Sequence, residues 1–381
     1  MRVVKIHTPR KIVFGAGSMH EFAKDLMSSG ITRIFILTIP PVLHQINHHL
    51  DVIRGKGISV EINTAITAEP TLYDFENTLK QVRECKPDYI AGIGGGSVMD
   101  LAKILAVFNT FRKPVADFMG IDLLTERKTP LICIPTTSGT GSEVSPNSIL
   151  LDENEHAKKG IISPFLVPDA AYIDPELTLG LPPDITAFTG LDALTHCIEA
   201  YINKYAHPLL DHYALNGISL ISRFLPLAYR DGSNLEARSN LALGSLYGGM
   251  CLGPVNTGAV HALAYPLGSF YRIAHGLSNA VLLPHIIKYN LPNAPGKYAA
   301  MARAMGIDRA AKDYDLAEDG IDHILKLIQS VGIPSHLSSL GIKMEDIPGM
   351  AESAMKVQRL LKNNVREVSV QDIIEIYKKS Y

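Results

Sequence analysis

The sequence predicts a two-part fold, an α/β half followed by an all-helical half, and three observations carry that prediction. Short β-branched runs alternate with amphipathic stretches over residues 1–180. The strand signal then disappears beyond a Pro- and Gly-punctuated segment at 175–183, and long apolar-periodic segments fill the remainder. Strand followed by helix, repeated, indicates βαβ units and a mostly parallel sheet. At 381 residues the chain exceeds one ordinary core. We expect one domain over 1–180 and another over 181–381, although the punctuation is equally compatible with a long loop inside one continuous unit.

In chain order, strands are expected at Arg33–Thr38, Ile58–Ile62, Asp88–Ile93, Pro130–Pro135 and Pro168–Asp174. Helices are expected between them at Leu43–Lys56, Leu72–Lys86 and Val98–Phe111. In the second half, apolar periodicity marks Ile185–Asn203, Leu209–Ala228, Leu235–Leu252 and Leu316–Val331, and Gln371–Tyr381 reads as a docked terminal helix.

Composition narrows the partner. The formal net charge is −2, from 36 basic and 38 acidic residues with no basic block, which argues against nucleic acid or an acidic membrane surface and for a small molecule. Hydrophobic content is 46% without an apolar run long enough for a span of about 18 residues, so no membrane segment is expected. Met1–His7 carries charge where a signal peptide would be apolar, and the cytoplasm is the expected location. Cys85, Cys133, Cys197 and Cys251 are dispersed without Cys-x-x-Cys spacing and read as reduced structural thiols.

Two loops read as ligand cradles. Strand-like Asp88–Ile93 runs into Gly94-Gly95-Gly96-Ser97 and then into a helix bearing Asp100 and Lys103. Glycines let backbone amides approach an anion, and a helix N-terminus adds unpaired N–H groups. The G-x-G-x-x-G dinucleotide pattern fails here because position 97 is serine. The second loop, Thr136-Thr137-Ser138-Gly139-Thr140-Gly141-Ser142-Glu143, is rich in hydroxyls and glycine. Two such loops at strand ends suit a pyrophosphate with sugars, whereas a polar turn with a helix cap is the plainer alternative. The cofactor candidates are Gly94, Gly95, Gly96, Ser97, Asp100, Thr136, Thr137, Ser138, Thr140 and Ser142.

A metal set is the other signal. Asp192 and His196 stand four apart on an expected helix and share a face. His261 and His275 are expected to join them through a bend at Pro266 and Gly268. One carboxylate and three imidazoles accommodate Fe²⁺, Zn²⁺ or Mn²⁺. His48 and His49 read instead as a solvated helix face.

The segments Gly94–Lys103, Pro135–Glu143, Gly190–His196 and His261–Leu283 together resemble the iron-containing (group III) alcohol dehydrogenases, and the resemblance runs along essentially the whole chain. It implies a Rossmann-like α/β domain, a helical domain of the dehydroquinate synthase-like type, and a cleft between them. It also implies hydride transfer between NAD(H) or NADP(H) and a small alcohol or aldehyde, in a homodimer. By resemblance the metal ligands fall on Asp192, His196, His261 and His275, the metal is Fe²⁺, and Lys158 joins the cofactor set.

The chain departs from the family pattern in places. Tyr265 stands where many members have a histidine, so it either donates a hydrogen bond near the reaction or fills space. Ile39 replaces an aspartate that would hold the adenosine ribose, which leaves NADP(H) open beside NAD(H). Asn147 occupies a position often aromatic, which suggests a short polar substrate. A glycerol dehydrogenase-like polyol oxidoreductase and a non-catalytic nucleotide-binding protein are the alternatives.

Overall fold

The computed structural model describes residues 1–66, 69–152 and 157–381. They divide into two compact units. One comprises Ile6–Thr137 and Gly141–Leu179; the other comprises Gly180–Tyr381 together with Met1–Lys5 and Ser138–Thr140.

The first unit contains strands β1 (Lys11–Phe14), β2 (Arg33–Leu37), β3 (Ser59–Asn63), β4 (Tyr89–Gly94), β5 (Gly120–Ile121), β6 (Leu131–Pro135), β7 (Asn147–Asp152), β8 (Ala157–Ile162) and β9 (Ala170–Ile173). Helices α1 (Ser18–Ser28), α2 (Pro40–Gly55), α3 (Leu72–Cys85) and α4 (Gly96–Phe108) lie between them in sequence. Six strands form one sheet in the order β1-β9-β6-β4-β2-β3, with every pairing parallel. Alternation along each strand divides the core between its two faces. Ile34, Ile36, Ile93, Ile132 and Ile134 pack with Met19, Phe22, Ile46, Leu50 and Ile53 of α1 and α2. Phe35, Leu37, Ile90, Leu131 and Cys133 pack with Phe75, Val82, Leu101 and Leu105 of α3 and α4. Both faces are therefore covered, which is why these strands read as continuous apolar runs.

The five expected strands are present. The expected helices are too, with α2 and α4 opening two or three residues early, at Pro40 and Gly96. The sequence reading did not anticipate β1, α1 or the small second sheet in the order β5-β8-β7, whose β7 and β8 pair antiparallel.

The second unit is helical: α5 (Pro183–Ile202), α6 (Pro208–Arg230), α7 (Leu235–Leu252), α8 (Ala259–Tyr271), α9 (His275–Asn290), α10 (Pro295–Ala304), α11 (Asp313–Ser330), α12 (Ile347–Met355), α13 (Gln358–Leu361) and α14 (Val370–Ser380). From Gly190 to Ile202 every residue of α5 is buried, so this helix is the axis on which its neighbours pack. Cys197 sits in that core behind the polar face. All four cysteines are free. Among the described residues no helix is long and apolar enough to cross a membrane.

One expectation is corrected. Pro266 and Gly268 do not bend the chain, because α8 continues through them to Tyr271. The break falls at Arg272, whose φ of 56° ends the helix in the left-handed region. An interior proline costs a helix about 3 kcal/mol. Here burial of Val260, Leu263, Ala264 and Leu267 on that helix holds it together.

Candidate metal and cofactor sites

On α5, Asp192, His196 and Glu199 follow at spacings of four and three and share one buried face. His261 enters from α8, and His275 is the first residue of α9. The Oδ1 atom of Asp192 lies 3.6 Å from His261 Nε2, 3.6 Å from His275 Nε2 and 3.9 Å from His196 Nε2. Two ligands of a tetrahedral ion held at about 2.1 Å stand roughly 3.4 Å apart, so the His261 and His275 separations from Asp192 match that spacing and His196 stands farther out. Asp192, His261 and His275 each offer one ligand atom, and these lie within 4.8 Å of one another. Their exposures differ usefully: Asp192, His196 and His261 side chains are 4–7% exposed and His275 is 28% exposed. His275 is thus the member of the set that faces solvent.

Asn279, one turn beyond His275, reveals what the pocket lacks. Its Nδ2 donates to Asp192 Oδ1 at 2.7 Å and lies 3.3 Å from both His261 Nε2 and His275 Nε2. One amide group therefore stands at the point where a carboxylate oxygen and two imidazole nitrogens converge, while its own Oδ1 is buried without a partner. A divalent cation would be bound by the ligand atoms converging there, so the donor set fits the metal implied by the sequence.

Glu199 orients the set. Its Oε1 accepts the Val260 N–H at 2.6 Å, and its Oε2 stands 2.6 Å from His261 Nδ1. With a metal bound, a proton kept on Nδ1 by this carboxylate would leave the Nε2 lone pair for the ion. Burial alone would lower the His261 pKa, but Glu199 and Asp192 outweigh it and carry it up to about 10. Burial would raise Asp192, yet the surrounding imidazoles hold it well below the usual carboxylate range. His196 is pushed down, chiefly by burial, and its Nδ1 sits 3.3 Å from the Gly139 carbonyl. Tyr265 lies on the same helix as His261, its ring 6.0 Å from that of His275, and its hydroxyl accepts from Arg359 Nη2 at 2.8 Å.

In the α/β unit, β4 ends at Gly94 and α4 begins at Gly96 with no side-chain cap, so Gly95, Gly96 and Ser97 present a half-exposed helix N-terminus. A Cβ on Gly94 would stand 2.8 Å from Val98, which makes glycine a packing requirement there as well. Thr136 is buried, with its N–H on the Gly94 carbonyl at 3.0 Å, and Thr137 is the threonine beside Gly95. Asp100 and Ser142 are turned toward each other: Ser142 Oγ donates to Asp100 Oδ1 at 2.5 Å, and Asp100 Oδ2 takes the Ile149 N–H at 2.9 Å. These two brace the loop against α4. Ser138 and Thr140 belong to the helical unit with Gly139. Lys158, on β8, is ion-paired with Glu69.

Sequence reasoning missed Glu199, Asn279 and Arg359. The first two carried a usable signal, standing three residues after His196 and four after His275. Nothing local marked Arg359, which is 94 residues from Tyr265.

Comparison with known proteins bears on the family and the fold. A family described as iron-containing alcohol dehydrogenase matches residues 9–175, and the Fe-containing alcohol dehydrogenase family, C-terminal, matches residues 186–381. The 1,3-propanediol dehydrogenase of Klebsiella pneumoniae is 39% identical over 333 residues, 87% of this chain and 86% of its own length. A crystal structure of a 1,3-propanediol oxidoreductase superposes with a TM-score of 0.96 at 35% identity, covering 100% of both chains. The sulfoacetaldehyde reductase of Bifidobacterium kashiwanohense, solved in complex with NAD⁺, gives a TM-score of 0.89 at 26% identity, covering 100% of this chain and 99% of that one.

Proposed function

From the premise that the chain belongs to the iron-containing alcohol dehydrogenase family, and is therefore an alcohol and aldehyde oxidoreductase, we propose that it reduces short, polar aldehydes with NAD(H) or NADP(H) at a divalent metal, Fe²⁺ by family and Zn²⁺ or Mn²⁺ by ligand type. The observation that carries this reading is the convergence of ligand atoms from Asp192, His261 and His275, bridged by a single amide of Asn279. When bound, the metal would supply a Lewis acid for a substrate oxygen and the nicotinamide would supply or accept the hydride.

The protein's own groups do the rest. Asp192, His196, His261 and His275 would hold the ion, with Glu199 keeping the His261 ring in register. Tyr265, held by Arg359, offers a hydroxyl beside the most exposed ligand and would orient the substrate. Gly94, Gly95, Gly96 and Ser97 would receive the pyrophosphate on the N-terminus of α4. Thr136, Thr137, Ser138 and Thr140 would serve the rest of the nucleotide, and Lys158 its charge. Asp100 and Ser142 would act by fixing the loop. The Oδ1 of Asn147 is buried without a partner and would accept a hydroxyl, which supports a polar substrate.

The test is reduction of a panel of short hydroxyaldehydes and long-chain aldehydes by chelator-stripped protein, with Fe²⁺, Zn²⁺ or Mn²⁺ restored and NADH or NADPH followed by absorbance. Turnover that requires a metal and favours the short substrates is expected. Equal turnover by stripped and loaded protein, or by His261→Ala, would remove the metal role.

A further inference from the structure

Three histidines are gathered in the α/β unit, two of which, His48 and His49, the sequence presents as a solvated helix face although His49 is buried. His20 lies on α1, and His48 and His49 lie on α2, which packs beside it. Each offers a ring nitrogen, and these nitrogens lie within 4.8 Å of one another. The ring centroids of His20 and His49 are 4.6 Å apart, those of His48 and His49 3.7 Å, and those of His20 and His48 6.4 Å. We propose that His20, His48 and His49 form a second metal site, for a borderline divalent ion such as Zn²⁺, that clamps α1 to α2.

The chemistry of the cluster supports this. Three imidazoles suit Zn²⁺, Ni²⁺ or Cu²⁺ and disfavour Mg²⁺ and Ca²⁺, and a three-histidine set leaves a fourth position for water. Burial, followed by the neighbouring His48 and His20, lowers the His49 pKa to about 4. Asp174 is the carboxylate whose charge reaches His49 and opposes that shift. It is already engaged with the N–H groups of Gly17, Met19 and Glu176, at 3.2, 2.9 and 3.1 Å. It therefore acts as an outer anion that also sets the start of α1 and with it the position of His20. His49 is buried, whereas His20 and His48 are exposed, so an ion has a path in from solvent.

The experiment is zinc uptake by untagged protein, counted by elemental analysis after equilibration and gel filtration, with calorimetry for affinity. Wild type should carry one more zinc per chain than His20→Ala and His48→Ala. The affinity of that extra site should fall at least about tenfold in each variant, the scale on which even outer partners of a metal ligand act. Zinc should raise the thermal midpoint of wild type above that of either variant, excess Mg²⁺ should not displace it, and turnover in the absence of added zinc should be unchanged. Both replaced side chains are exposed, and equal midpoints without zinc will show that the variants fold. Equal zinc counts in all three proteins would overturn the site, and this result is independent of whether Asp192 and its partners bind metal.

Discussion

Glu199 Oε2 lies 2.6 Å from His261 Nδ1, on the side of the imidazole away from the Nε2 that faces Asp192. A carboxylate in this place raises the basicity of the ring and selects its tautomer. Glu199→Gln keeps the shape and loses the charge, and metal affinity should fall about 10–100-fold, as read by competition with a chelator. The metal-free wild type holds a proton on His261 up to about pH 10 and must release it when metal binds. At pH 8 the variant should release less, which calorimetry in buffers of different ionisation enthalpy will measure.

Gly276 lets α9 lie against α5. A Cβ there would stand 2.0 Å from the Phe188 carbonyl oxygen, far inside contact distance and against backbone that cannot swing away. Gly276→Ala should displace the helix start that carries His275. The expected outcome is loss of at least about 2 kcal/mol of stability in denaturant titration, with a matching loss of metal content.

Asn279 bridges Asp192 to two imidazoles by hydrogen bonding. Asn279→Leu removes that bridge at nearly constant volume and should cost the metal-free protein about 1–3 kcal/mol, the penalty for buried polar groups left unpaired. An ion supplies the same bridge. The rise in thermal midpoint on adding metal should therefore be larger for the variant than for wild type, and an equal rise would refute the argument.

Glu143 is buried and raised to about 7, by desolvation that outweighs its own backbone N–H and Lys103. Its folded pKa lies above the unfolded value of 4.5, so its contribution to stability is fully present below about pH 4.5 and is lost as pH rises through 7. Glu143→Gln stays neutral throughout. The variant should match wild type near pH 4.5 and exceed it at pH 8, by on the order of 3 kcal/mol, measured by denaturation across that range.

Ile39 is the N-cap of α2 and makes no side-chain cap. Ile39→Asp should cap the helix and stabilise the protein by about 0.5–2 kcal/mol. A carboxylate at the end of β2 should also repel a 2′-phosphate. The ratio of kcat/KM for NADH over NADPH is expected to rise at least about tenfold, an effect of about 1.4 kcal/mol.

Much of this molecule was legible locally. Apolar runs and their turn residues foretold five strands of the parallel sheet. The spacing of Asp192 and His196 placed them on one helical face, because a 3.6-residue turn is a local property. The strands at the edges were harder to read. β1 is only four residues, largely exposed, and pairs with β9 some 160 positions away, so its own pattern carried little of its stability.

What only the tertiary structure decided is which faces meet. The α8 helix survives Pro266 because its neighbours bury it, a stabilisation contributed by distant segments. Glu199 and Asn279 gain their roles from the meeting of α5, α8 and α9, and Arg359 gains its role from α13. The three histidines of α1 and α2 form a cluster for the same reason. Residue type and periodicity are written along the chain, but an interaction that falls off within a few ångströms exists only once the fold has closed the distance.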